Sequence, residues 1–316
     1  MDGFMPQDLG RRRTLKAAIG CVGVGVHSGR RVSLTLHPAL PGAGIVFRRK
    51  DLGGLDVAAR WDNVVDTRLC TVLGHPDHPE VRIGTVEHVM AALAGCGIDD
   101  AVVELDGPEV PILDGSAAPF VFLIDCAGTL GRVARHEVLE VLRPIRVQEG
   151  NAWAELAPNG GGRFEGSFEI NFNASAIGHQ RCAERLTPHA FRTGLADART
   201  FALAEDVEAL RAAGLALGGN LTNAVVVEGD RVLNPGGLRR PDEFVRHKLL
   251  DAVGDLALAG APLRARFTGF RSGHALNNRL LHNLFADRSA WRMVSAAVLG
   301  EGTSARLPAA AAAPML

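Results

Sequence analysis

The sequence predicts an α+β protein of two domains, built around a helix–strand–helix unit that occurs twice on a background of mostly antiparallel strands. Three observations predict it. Short apolar–polar alternations, ended by Gly, Pro, Asn or Asp, recur in both halves and read as half-buried strands joined by turns. The chain has 316 residues, more than one domain usually holds, and its texture changes to successive strands near residue 135. In the first half a helix carrying His88 is followed by a strand and a Gly115-Ser116 helix start. In the second, a helix carrying His247 is followed by a strand and a Gly273-His274 helix start. The spacings nearly match, 28 residues from His88 to Ser116 and 27 from His247 to His274, and both helices run into Leu-Ala-Gly, which reads as an internal duplication. The expected division is 1–135, 136–307 and an Ala-rich tail, 308–316, with the composition of a disordered segment.

The elements follow in order. Arg11-Arg12-Arg13-Thr14-Leu15-Lys16 and the apolar stretch 17–26 have the outline of a twin-arginine export signal. The apolar part is short, however, and continues through His27-Ser28-Gly29 into the alternating Val32-Ser33-Leu34-Thr35-Leu36, so the segment is expected to form the first hairpin of the fold. Gly20, Gly23 and Gly25 do not make a phosphate loop, because a strand and not a helix follows them. Residues 45–49 are expected as a strand, 51–63 as irregular chain around a Gly-Gly turn, and 69–73 as a short strand. The His75-Pro76-Asp77-His78 stretch fits an exposed turn better than a metal site. Residues 85–95 are expected as a helix capped by Thr85 and stopped at Gly95 or Gly97. A strand at 101–105 follows. Asp114-Gly115-Ser116 reads as the cap of a helix at 117–126, not as a nucleophile loop. Strands flank the turn at 159–162, and alternating stretches continue to Arg199-Thr200-Phe201. A helix at 204–213, a Gly-rich turn at 217–220, a strand at 223–227, the His247 helix, a strand at 264–268 and a helix at 275–285 complete the chain.

Composition excludes several classes. An apolar fraction of 47% and a charged fraction of 22% are ordinary for a globular protein. A net charge of −1 leaves no basic field for nucleic acid. No apolar run approaches the ~20 residues a membrane span needs. The five cysteines (Cys21, Cys70, Cys96, Cys126, Cys182) are odd in number and form no C-x-x-C pair, which fits a reducing, cytoplasmic compartment and argues against a disulfide framework or a thiolate zinc site.

The chemistry centres on residues 244–256. On an α-helix His247, Asp251 and Asp255 fall at about 0°, 40° and 80°, while Val245, Leu249, Val253 and Leu256 lie opposite, at about 160° to 240°. One H-x-x-x-D alone is more often a solvated face than a site. If the halves pack face to face, however, the stripe meets the His88 helix. His88, His247 and Asp251 then supply the three N/O ligands of a hydrolytic metal centre that leaves a position for water. Glu87, beside His88 at a helix start that favours its carboxylate form, is placed as a general base. His274 is a candidate to stabilise an oxyanion or protonate a leaving amine, Asp255 to hold it protonated, and Thr200 to donate to the oxyanion.

Five motifs in order, Thr85-Val86-Glu87-His88, Asp114-Gly115-Ser116-Ala117-Ala118-Pro119-Phe120, Arg199-Thr200-Phe201, Asp242-Glu243-Phe244-Val245-Arg246-His247-Lys248-Leu249-Leu250-Asp251 and Ser272-Gly273-His274-Ala275-Leu276-Asn277-Asn278, resemble the UDP-3-O-acyl-N-acetylglucosamine deacetylases, zinc amidases of the committed step of lipid A synthesis. The resemblance runs from about residue 12 to about residue 300. It implies two α+β domains of similar topology, each a sheet layered with helices, with the active site at their interface. It implies that His88, His247 and Asp251 bind Zn2+ (Fe2+ suits the same ligand set), that Glu87 is the general base and His274 the catalytic histidine, and that Thr200 is the oxyanion donor and Asp255 the partner of His274. Lys248, Phe201, Gly273 and Cys70 fall on substrate-contacting positions. The resemblance further implies a βαβ insert near 200–226 that forms an apolar passage for an acyl chain; Val207, Leu210, Leu215, Ala216 and Leu217 suit such a passage, and core packing would call for similar residues. The chain departs from the family in having Asn220 where Ser is common, no Tyr and a longer 75–79 loop, which bears on acyl preference more than on the reaction. The expected activity is zinc-dependent hydrolysis of the N-acetyl group of UDP-3-O-(3-hydroxyacyl)-N-acetylglucosamine, by a cytoplasmic monomer without nucleic-acid partner or membrane insertion. Two other readings use the same residues: a zinc amidase or peptidase for a different substrate, and a duplicated binding module without metal.

Overall fold

The computed structural model describes residues 11–160 and 162–296; the 308–316 tail lies outside the described residues. The fold is α+β, with two five-stranded sheets at its base. In spatial order the first holds Ile19–Val24, Arg31–Pro38, Ala101–Leu105, Ile45–Arg49 and Leu55–Ala58, and the second Ile145–Glu149, Ala152–Ala157, Arg266–Phe270, Glu165–Asn171 and His179–Arg185. In both, the strand that comes last in sequence occupies the centre, antiparallel to one neighbour and parallel to the other. The sheets therefore share strand order and pairing sense. The alternation that marks these strands puts one face of each in the core: Val32, Leu34 and Leu36, then Ala101, Val103 and Leu105, then Phe168 and Ile170 are buried.

The 19–36 hairpin forms, with Ile19 opposite Leu36. The arginine-rich segment before it does not join that hairpin. Arg11–Leu15 instead pairs antiparallel with Thr129–Val133. Residues 51–63 are not wholly irregular either, since Leu55–Ala58 pairs with Ile45–Arg49 across a turn in which Gly53 and Gly54 take φ of 75° and 78°. Four residues of alternation were too few to mark that strand, although the Gly-Gly pair is a hairpin signal. The short strand expected at 69–73 is Val72–Gly74, and the 173–198 stretch includes a helical turn, Pro188–Ala190, followed by a π-helical one, Phe191–Leu195. Phe201–Leu203 and Val225–Glu228 pair in parallel, with the helix Ala204–Ala212 between them in sequence.

Two helices at the seam between the sheets set up the site. The His88 helix, Glu87–Gly95, is apolar beyond Glu87 and His88 and buried along almost its whole length, as a helix surrounded by protein must be. The His247 helix, Glu243–Ala257, packs against it with its polar side, and against the second sheet with its apolar side. Gly254 makes the crossing possible, because a Cβ there would run into the carbonyl oxygen of Glu87. Thr85 does not cap the His88 helix. It has φ of 56°, and its hydroxyl donates to Glu109 Oε1 at 3.0 Å, so a tertiary partner takes the group that the local rule would have used. The His274 helix, His274–Ala286, lies on strands Ile145–Glu149 and Ala152–Ala157 and meets the His247 helix. Among the described residues all five cysteines are free thiols, and no helix is long and apolar enough to cross a membrane.

Candidate metal and proton-transfer site

His247, Asp251 and Asp255 are 2%, 4% and 2% exposed, so the stripe is not a solvated face. His88 is brought to it by the helix crossing, and one ligand atom each of His88, His247 and Asp251 lie within 4.8 Å of one another. His88 Nε2 stands 3.5 Å and His247 Nε2 3.3 Å from Asp251 Oδ1, with the two rings edge to face at 5.0 Å between centroids. His247 Nδ1 donates to the Ala198 carbonyl at 3.0 Å, which leaves the Nε2 lone pair aimed at Asp251. Burial lowers the His247 pKa to about 4, so the ring is neutral at pH 7. Burial works against the charge of Asp251, but attraction from His247 and Lys248 outweighs it and holds the carboxyl well below the usual range. Asp251 Oδ1 has no hydrogen-bond donor among the described residues. A buried carboxylate oxygen without a donor, beside the His247 Nε2 lone pair and the His88 ring, is costly unless a cation neutralises it, and two nitrogens with one carboxylate suit a divalent ion of the zinc or ferrous type.

Two proton-carrying groups flank this triad. Glu87 Oε2 accepts from the Thr71 N–H at 3.1 Å, and its Oε1 is 3.9 Å from His274 Nε2. Burial raises the Glu87 pKa, with His274 and His88 opposing. His274 Nδ1 donates to Asp255 Oδ2 at 2.9 Å. Burial opposes the imidazolium, yet Asp255 and Glu87 lift its pKa to about 9, so it carries its proton at pH 7. Asp255 is itself fixed by Asn277 Nδ2 on Oδ2 (2.8 Å) and by the Thr71 hydroxyl on Oδ1 (2.6 Å). A carboxylate, an imidazolium and a candidate cation site thus converge within one buried space.

The other expected residues fall around it. Thr200 is pinned through its backbone: its N–H donates to Gly115 O and its carbonyl accepts from Val225 N–H, both at 2.8 Å. Gly115, at φ 85°, is pressed so closely on Asn223 O that a side chain would not fit. Arg199 beside it forms a buried pair with Glu243 at 2.8 Å, tying the Arg-Thr-Phe segment to the start of the His247 helix. Phe201 packs edge-on against Phe244 and His247. Lys248 Nζ donates to Asp251 Oδ2 at 2.6 Å, and the residue lines a cavity of about 790 Å³ together with Phe172, Glu205 and Arg271. Cys70 is buried beside Glu87, and burial pushes its thiol up to about 12, so it stays protonated. Gly273 is extended and its carbonyl accepts from Asn277 N–H.

Sequence reasoning missed Thr71, Ala198 and Glu109. Glu109 accepts from the His27 and Ser28 N–H groups at 2.9 Å each and from Thr85. None of these carries a local signal, since each acts through a partner distant in sequence. Among the described residues four non-glycine residues take positive φ, Thr85, Leu113, Ala216 and Arg271, and two of them stand just before Glu87-His88 and Ser272-Gly273-His274. Such conformations cost about 1–3 kcal/mol each and collect at functional sites.

A sequence model of the UDP-3-O-acyl N-acetylglycosamine deacetylase family matches residues 12–286. The chain is similar to three proteins named UDP-3-O-acyl-N-acetylglucosamine deacetylase. That of Acidithiobacillus ferrooxidans is 50% identical over 90% of this chain and 93% of its own. Those of Phenylobacterium zucineum and Methylococcus capsulatus are each 49% identical, over 89% and 90% of this chain and 96% and 93% of theirs.

Proposed function

The chain belongs to the UDP-3-O-acyl N-acetylglycosamine deacetylase family and is a deacetylase enzyme, and from that premise we propose that it hydrolyses the N-acetyl group of UDP-3-O-(3-hydroxyacyl)-N-acetylglucosamine, the committed step of lipid A synthesis. One observation carries the reading: a buried His88, His247 and Asp251 cluster flanked by Glu87 and by the His274–Asp255 pair. These three residues would hold a divalent cation, which we take to be zinc. When bound it supplies Lewis acidity, polarising the acetamide carbonyl and making water a better nucleophile.

The chain's own residues then do the following. Glu87, held by the Thr71 N–H through Oε2, accepts the proton of the attacking water on Oε1. Thr200 donates to the oxygen on which charge develops as the water oxygen bonds to the acetyl carbon. His274 delivers its Nε2 proton to the amine nitrogen as the C–N bond breaks, and acetate departs. Asp255 keeps His274 protonated beforehand. Lys248, Phe201, Gly273 and Cys70 face the substrate, and the segment 200–226 guides its acyl chain. Glu87 and His88 belong to a first domain, 1–135, and the other site residues to a second, 136–307. The enzyme works as a monomer in the cytoplasm, a reducing compartment that suits its five free thiols.

The test is acetate release from this substrate by the purified protein, compared with an analogue lacking the 3-O-acyl chain. The reading predicts turnover that falls steeply without the chain. Equal turnover of both would discard the acyl passage, and no acetate from either, with metal bound, would move the site to another acylated amide.

A further inference from the structure

Thr71 lies in the first half, just ahead of strand Val72–Gly74 and outside all five motifs. It is 1% exposed. Both of its donors are spent on charged groups. Its N–H donates to Glu87 Oε2 at 3.1 Å, and its hydroxyl donates to Asp255 Oδ1 at 2.6 Å, across 184 positions of sequence. Its carbonyl accepts from Val86 N–H, one residue before Glu87. The other oxygen of Asp255 is taken by His274 Nδ1 and Asn277 Nδ2.

We propose that Thr71 is a positioning residue that sets the proton-accepting and proton-donating groups of the reaction against each other. The carboxylate torsion of an aspartate is broad and nearly two-fold, so burial alone does not settle which oxygen faces His274 or in what plane. The Thr71 hydroxyl settles it by occupying Oδ1 and leaving Oδ2 to His274. The same residue holds Glu87 through its backbone, so the two groups sit on one rigid link between the halves. Threonine suits the task because its β-branched side chain is stiff about χ1. Removing the hydroxyl leaves a buried carboxylate oxygen short of a donor and lets the Asp255–His274 pair turn.

The inference rests on the roles proposed above for Glu87 and His274. Its test is steady-state acetate release by the full chain with metal bound, for wild type, Thr71→Val and Thr71→Ser. Valine keeps the shape and the backbone N–H to Glu87 and removes only the hydroxyl. The expected result for Thr71→Val is a fall in kcat of about tenfold or more with KM within about twofold and metal content unchanged, because only transition-state geometry is lost. Thr71→Ser should stay within about threefold of wild type on the same ground. A Thr71→Val enzyme with wild-type kcat, or equal losses in Val and Ser, overturns the inference. Should Thr71→Val fail to fold or to keep its metal, Thr71→Ser is read against Thr71→Ala, and equal kcat in that pair overturns it too. A wild-type protein that releases no acetate would instead bring down the deacetylase reading itself.

Discussion

His274 Nδ1 and Asp255 Oδ2 lie 2.9 Å apart on two helices of the same half, and this contact keeps a buried imidazole charged. A buried histidine alone would lose its proton, as His247 does. The carboxylate of Asp255, with Glu87 behind it, reverses the sign of the shift for His274. Two buried histidines of the second half therefore hold opposite protonation states, one suited to ligate a cation and one to donate a proton.

Asp255→Asn removes the main cause of that shift. Because the folded pKa of His274, about 9, lies above its unfolded value, its protonated form stabilises the fold below about pH 6.5, and this contribution is lost as pH rises through about 9. The basic limb of kcat/KM should fall near pH 9 in wild type and move to lower pH by about one unit or more in Asp255→Asn. An unmoved limb would separate His274 from that limb.

Glu87→Gln keeps size and hydrogen bonding but cannot accept a proton. Turnover should drop by about a hundredfold or more with metal content intact. Metal analysis beside the rate distinguishes loss of the base from loss of the cation.

Gly254→Ala sets helix propensity against packing. Alanine gains ~1 kcal/mol in a helix interior, but its Cβ must displace the backbone carbonyl of Glu87 where the two helices cross. Overpacking of about 1–3 kcal/mol wins. We expect a lower denaturation midpoint and weaker metal retention, because the displaced residue adjoins His88.

Arg199→Met leaves Glu243, whose side chain is 0% exposed, without its ion-pair partner. The expected loss is about 3–5 kcal/mol, read as a shift in chemical denaturation. The folded pKa of Glu243 is depressed: burial opposes, and the Arg199 and Arg239 hydrogen bonds outweigh it. Its contribution is therefore present above the unfolded pKa and lost as pH falls. The gap between wild type and Arg199→Met should narrow in acid.

The helices were legible because their periodicity is local: those expected at 204–213 and 275–285 fold as Ala204–Ala212 and His274–Ala286. The grouping of His88, His247 and Asp251 was legible because two of its members share one helix face and the third stands at a matching sequence interval in the first half. The α+β class followed from the alternation. What escaped was decided by distant partners. Thr85 has the chemistry of a cap, but Glu109 draws its hydroxyl away. The strand Leu55–Ala58 is too short to stand out. The central placement of Ala101–Leu105 and Arg266–Phe270 is a matter of pairing across the sheet, and nothing in either strand states it. Thr71 reads as one more residue of a short strand until Asp255 is beside it.

The measurement that bears most directly on the account is a titration of metal-free protein with Zn2+ while acetate release is followed. The account predicts no turnover at the start, a linear rise and a break at one equivalent per chain, with His88→Ala neither binding the ion nor turning over. Full turnover in the chelated protein, or one bound equivalent in His88→Ala with unchanged rate, would contradict it.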